Sequence, residues 1–97
     1  MNNSNNNNNN EKRNVLFTFK GEDLPKNTES VQICGSYDKW NVRHPLKYDK
    51  ARNLWFVNLT LNRGKIFYKY IVNSKWVVNP REEVDNDGNN ENNVIVL

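Results

Sequence analysis

Few side chains in this sequence could do chemistry: one histidine, one cysteine, a short acidic run and three tryptophans. His44 precedes Pro45 with no nucleophile beside it, and Cys34 closes an apolar run, so no nucleophile and base stand together as covalent catalysis requires. The stretch EVDNDG puts Glu83, Asp85, Asp87 and Gly88 at the first, third, fifth and sixth positions of a calcium loop. Its twelfth position is Val94 and no helical pattern flanks it, so it reads as a solvated acidic turn. No glycine-rich loop for phosphate is present. The expectation is a protein without catalytic residues, metal or cofactor, which binds through aromatic rings and a few polar groups.

Two ligand classes are held in that way. Single-stranded nucleic acid stacks its bases on rings beside a basic groove, whereas a sugar lays its C–H face on an indole and offers its hydroxyls to Lys, Asn and Asp. Covering one sugar face removes roughly 50–80 Å² of apolar area from water, worth about 1–2 kcal/mol, so repeated contacts along a polymer are needed for useful affinity. The stretch RGKIFYKY (63–70) partly echoes an RNA-recognition pattern, but Lys65 and Ile66 stand where that pattern wants an aromatic and a small residue. The helices of such a domain are missing as well, which makes nucleic acid the weaker reading.

The elements that must position these rings are strands. VLFTFK (15–20), SVQIC (30–34), LWFVNLTL (54–61), IFYKYIV (66–72), WVV (76–78) and VIVL (94–97) are β-branched or aromatic runs, separated by turn formers. No stretch of ten residues carries a helical apolar period, so the chain reads as all-β, a sandwich or small barrel. Alternation puts Trp55, Val57, Leu59 and Leu61 on one face of 54–61, with Trp55, Val57, Leu59 and Tyr68 expected in the core. NRGK is expected to close a hairpin from 54–61 to 66–72, where Tyr68, Tyr70 and Val72 share one face and Phe67, Lys69 and Ile71 the other. Lys69 there either snorkels to water or is aimed at a ligand. A second hairpin turns at Asn73-Ser74 and leads to Trp76. Trp40 and Trp76 each follow a turn and neighbour polar residues, and two such rings near one another would form a flat apolar platform.

The 97 residues allow one small domain. We divide them into a disordered Asn-rich tail at 1–12, where MNNSNNNNNN cannot bury apolar surface, and a single module at 13–97. A formal charge of +3 with interspersed signs demands no polyanionic partner. A lone cysteine rules out an intrachain disulfide and favours a reducing compartment. No apolar run approaches the roughly 20 residues of a membrane helix and no signal peptide is visible, so a cytoplasmic or nuclear location without membrane contact is expected.

Three segments taken together resemble a known family. VQICGSYDKWN (31–41), LWFVNLTLNRGKIFYKYIVNSKWVVNP (54–80) and DGNNENNVIVL (87–97) are similar, in order and spacing, to the glycogen-binding domain of AMP-activated protein kinase β subunits and to carbohydrate-binding module family 48. The resemblance implies an immunoglobulin-like β-sandwich of about seven short antiparallel strands. Such a module binds α-1,4-linked glucans of the glycogen and starch type without catalysing a reaction, and can target a kinase or other enzyme to them. It implies that Trp40 and Trp76 are the stacking platforms and that Lys69 and Asn92 bond sugar hydroxyls. Two departures stand out: Gly88 or Asn89 occupies the place of a leucine that inserts into the glucan helix, and Asn73-Ser74 replaces the usual Asp-Gly. The region by which β subunits bind the other kinase subunits does not follow Leu97, so a stand-alone module is expected. The competing reading is a protein-interaction module on the same fold, meeting a kinase or phosphatase subunit through the aromatic patch without sugar.

Overall fold

A computed structural model describes residues 11–87 and 90–97, and the Asn-rich run at 1–10 and the Gly88 or Asn89 position lie outside them. Nine strands follow in chain order among the described residues: β1 (Lys12–Lys20), β2 (Val31–Gly35), β3 (His44–Pro45), β4 (Lys47–Asp49), β5 (Leu54–Asn62), β6 (Lys65–Val72), β7 (Lys75–Val77), β8 (Val84–Asp87) and β9 (Asn90–Val96). Two one-turn 3-10 helices, Gly21–Asp23 and Ser36–Asp38, are the only helices among the described residues. β1 already includes Lys12, ahead of the expected boundary, and Glu11 beside it pairs with Arg13 at 2.8 Å.

One sheet has the order β1-β5-β4 and the other β3-β2-β6-β9-β8, all pairs antiparallel, with β7 also pairing β6. Their inner faces meet in a β-sandwich whose core joins Phe17 and Phe19 of β1 to Ile33 of β2 and Ile66, Tyr68 and Tyr70 of β6. Phe17 meets Tyr68 edge-on at 4.9 Å between centroids, and Phe19 meets Tyr70 at 5.0 Å, so aromatic contacts bridge the sheets. Trp55, Val57 and Leu59 pack against this core but are only half-buried. A three-stranded sheet opposite a wider one leaves part of its inner face near the edge.

The expected hairpin through NRGK does not form. β5 and β6 belong to different sheets, and the Asn62–Lys65 segment arches from one to the other. β1 claims one edge of β5 for its whole length, from Lys12 opposite Asn62 to Lys20 opposite Leu54, and β4 takes the other. Gly64, at φ +136°, a region side chains rarely enter, exchanges backbone hydrogen bonds with Leu97 at 3.1 and 2.9 Å. The second hairpin forms as expected: Val72 faces Lys75 and Ile71 faces Trp76 across a turn in which Asn73 and Ser74 have φ of 48° and 72°. Two successive positive φ values match a type I′ turn, whose twist suits a two-residue hairpin.

Candidate functional site

The outer face of the β3-β2-β6-β9-β8 sheet carries the site. Along β6 the inward residues Tyr68 and Tyr70 are buried, so Phe67, Lys69 and Ile71 point outward by strand alternation. Ile71 stands opposite Trp76 of β7, and Lys69 opposite Cys34 of β2. Asn93 of β9 pairs with Tyr68 and is fully buried, so its neighbour Asn92 turns to the same outer face as Lys69.

Trp40 reaches this face from the loop after β2, and the Gly-Ser-Tyr sequence explains how. A Cβ on Gly35 would lie 2.4 Å from the Tyr37 ring and 2.8 Å from the Phe67 carbonyl oxygen, so only glycine lets the chain pass. The Ser36 hydroxyl oxygen accepts the Phe67 N–H at 3.0 Å, extending the ladder by one side chain. Tyr37 packs its ring against the core, and the Trp40 N–H closes the loop on the Gly35 carbonyl at 2.9 Å. Lys39 and Trp40 both sit at positive φ, 59° and 63°, a strained pair for non-glycine residues. Strain of this kind persists only where the surroundings enforce it, and here it aims an indole outward.

Trp40 and Trp76 are 38% and 44% exposed, and their ring centroids lie 6.4 Å apart with planes inclined at 57°. The two indoles therefore form one shallow apolar trough. Trp40, Phe67, Asn90 and Asn92 line an open hollow of about 300 Å³ beside it. The structure thus brings Trp40 and Trp76 into contact and sets Lys69 and Asn92 on the same face.

Several contributors escaped the sequence reading. The Arg43 guanidinium lies 5.2 Å from the centre of the Trp76 ring, a cation–π contact that holds one side of that indole. Phe67 extends the apolar floor, a role its parity with Lys69 could have suggested. Asn93 anchors the chain that follows Trp76: its side-chain oxygen accepts the Asn79 N–H at 2.8 Å, and its amide donates to the carbonyls of Asn79 and Glu83 at 2.9 and 3.2 Å. One asparagine of the pair thus turns to the outer face while the next is structural. Asn73 fixes the hairpin from below, its oxygen accepting the N–H groups of Glu29 and Ser30 at 2.8 and 3.2 Å.

Behind the face, Glu82 accepts hydrogen bonds from Tyr68 and Tyr70 at 3.0 and 2.9 Å. Burial pushes the Glu82 carboxyl above its ordinary value, and the two phenol hydrogen bonds partly oppose that. The Cys34 thiol, buried beneath the face, is raised chiefly by burial as well. Lys65 pairs with Asp85 at 3.6 Å, which ties the acidic run to β6.

Comparison with known proteins identifies the family. The family described as the glycogen recognition site of AMP-activated protein kinase matches residues 14–97. The chain belongs to this family. It is a carbohydrate-binding module. The module is 34% identical over 89 residues to the phosphoglucan phosphatase DSP4, amyloplastic, of Castanea sativa, covering 89% of this chain and 23% of that protein. It is also 34% identical over 71 residues to the protein PTST, chloroplastic, of Arabidopsis thaliana, and 32% identical over 74 residues to PTST homolog 2 of the same plant. Those matches cover 71% and 75% of this chain but only 26% and 14% of the relatives, so the module spans about a quarter or less of the proteins it resembles.

Proposed function

We propose that the module binds linear α-1,4-linked glucan of the glycogen or starch type on the Trp40–Trp76 trough, without catalysing a reaction. The contact of two exposed indoles on one sheet face carries this reading. Each ring stacks on the C–H face of one glucose unit, while Lys69 and Asn92 bond the hydroxyls that project toward the sheet. Arg43 and the hairpin turn hold Trp76 in place, so little ring freedom is lost on binding. A kinase or phosphatase brought to the glucan by the module belongs to the same proposal, supported by the kinase in the family description and by a phosphatase among the relatives.

Calorimetric titration with maltoheptaose tests this. We expect saturable binding in the micromolar to millimolar range that changes little with ionic strength, because no phosphate is involved. Trp76→Ala should weaken it roughly five- to thirtyfold, the equivalent of one lost stack, with the fold intact. Absence of heat at millimolar sugar would remove the glucan reading and leave the aromatic face to a protein partner.

A further inference from the structure

A second pair of rings lies on the other sheet. Tyr48 of β4 stands opposite Trp55 of β5, with centroids 5.0 Å apart and planes inclined at 42°, and Tyr48 is 46% exposed. The pair lines a cleft of about 570 Å³, closed on its far side by the 21–28 segment with Glu22, Lys26 and Thr28. That volume falls within the range of small-ligand sites.

The cleft is held in shape by Asn53. Its backbone is at φ 51°, its carbonyl accepts the Gly21 N–H at 2.8 Å, and its side-chain oxygen accepts the Tyr48 hydroxyl at 2.7 Å. The Tyr48 ring is therefore fixed at its polar end, and the Asn53 amide, which donates no hydrogen bond among the described residues, can donate to a ligand. A Cβ on Gly21 would lie 1.9 Å from that side-chain oxygen, so residue 21 must be glycine for Asn53 to occupy its place. The Thr28 hydroxyl, which donates to the Pro25 carbonyl at 2.7 Å, keeps its oxygen lone pairs for a hydroxyl. Glu22 is neutralised by Arg81 at 3.1 Å, and the remaining lining is mostly uncharged, which suits a neutral polyhydroxyl ligand.

From this geometry we infer that the Tyr48–Trp55 cleft is a second glucan site, independent of the Trp40–Trp76 trough. The inference rests on the carbohydrate reading of the module. An exposed ring and a donating side-chain amide repeat the recognition chemistry of the first face, and the Thr28 hydroxyl adds an acceptor. Because the two sites lie on different sheets, one module grips two stretches of polymer, and the second contact is made at the high local concentration that the first creates.

Titration of the isotopically labelled full chain with maltoheptaose separates the two readings, using the indole N–H signals of Trp40, Trp76 and Trp55 and the Asn53 side-chain amide. We expect the Trp55 and Asn53 signals to saturate on their own curve, to do so unchanged in Trp76→Ala, and to respond roughly tenfold more weakly in Tyr48→Ala. Trp40 and Trp76 should keep their wild-type curve in Tyr48→Ala. Tyr48→Phe keeps the ring but loses the bond to Asn53, and should weaken the cleft roughly threefold, which preserves the test should the alanine variant misfold. Still Trp55 and Asn53 signals while Trp40 and Trp76 move would overturn the second site alone. Loss of the cleft response in Trp76→Ala would overturn its independence. Movement at Trp55 with none at Trp40 and Trp76 would instead sink the first reading and keep this one.

Discussion

Strand β6 presents aromatic and aliphatic residues on both of its faces, yet the two faces do opposite work. Inward, Tyr68 and Tyr70 meet each other edge-on at 5.8 Å, contact Phe17 and Phe19 across the sandwich, and give their hydroxyls to Glu82. Outward, Phe67 and Lys69 remain half-buried in a surface that ends in two exposed indoles. What separates the two sets of rings is the cover. A second sheet and a carboxylate cover the inner tyrosines, whereas the outer indoles have a tilted neighbour or a guanidinium and an open side.

The largest test of that contrast is Tyr70→Ala, which opens a cavity at a fully buried position and leaves the Glu82 carboxylate with the Tyr68 hydroxyl alone. A loss of about 3–5 kcal/mol in urea unfolding is expected, against a change within about 1 kcal/mol for Trp76→Ala on the exposed face. Similar losses from both would erase the distinction between the faces. Next in size, Lys69→Met keeps the aliphatic stem but removes the donor. It should lower maltoheptaose affinity by about 1 kcal/mol, or roughly fivefold, with unchanged unfolding; an unaltered affinity would return Lys69 to the snorkelling role.

A smaller effect belongs to the turn that delivers Trp76. Ser74 holds a positive φ that glycine adopts without penalty, so Ser74→Gly should add about 0.5 kcal/mol of stability, the left-handed cost less the entropy glycine loses on folding. A lower urea midpoint in the variant would show that Ser74 contributes something its backbone conformation does not reveal.

The smallest effect concerns the inner face and pH. Burial raises the folded pKa of Glu82 above its ordinary 4.5, so the folded state binds more protons in the window just above that value. Stability contributed at this site therefore declines as pH rises from about 4.5 through the raised pKa. The unfolding free energy of the wild type minus that of Glu82→Gln should be highest at acid pH and fall across this window. Urea midpoints over the acid to neutral range measure it, and a flat difference would mean that Glu82 is not desolvated.

Much of the module was legible in its sequence because the deciding interactions are local. Alternation along 66–72 assigned each side chain of β6 to a face, the Asn73-Ser74 pair marked the tight hairpin, and Trp40 and Trp76 stood out as indoles just after turns. The turn formers from Gly35 onward marked the end of the 30–34 strand and the loop that carries Trp40. Each of these features depends on residues a few positions apart.

Other features depended on which strands compete for which edge. NRGK has the composition of a hairpin turn, but β1 and β4 occupy both edges of β5, and the chain must cross to the other sheet. Tertiary packing alone put Arg43 over Trp76, buried Asn93 while its neighbour Asn92 faced outward, and set Tyr48 against Trp55 over a cleft floored by distant loop residues. Local sequence carries strand periodicity and turn chemistry, because steric limits and side-chain parity act within a few bonds. Edge pairing and ring-to-ring contact are settled only when segments tens of residues apart bury their apolar surface together.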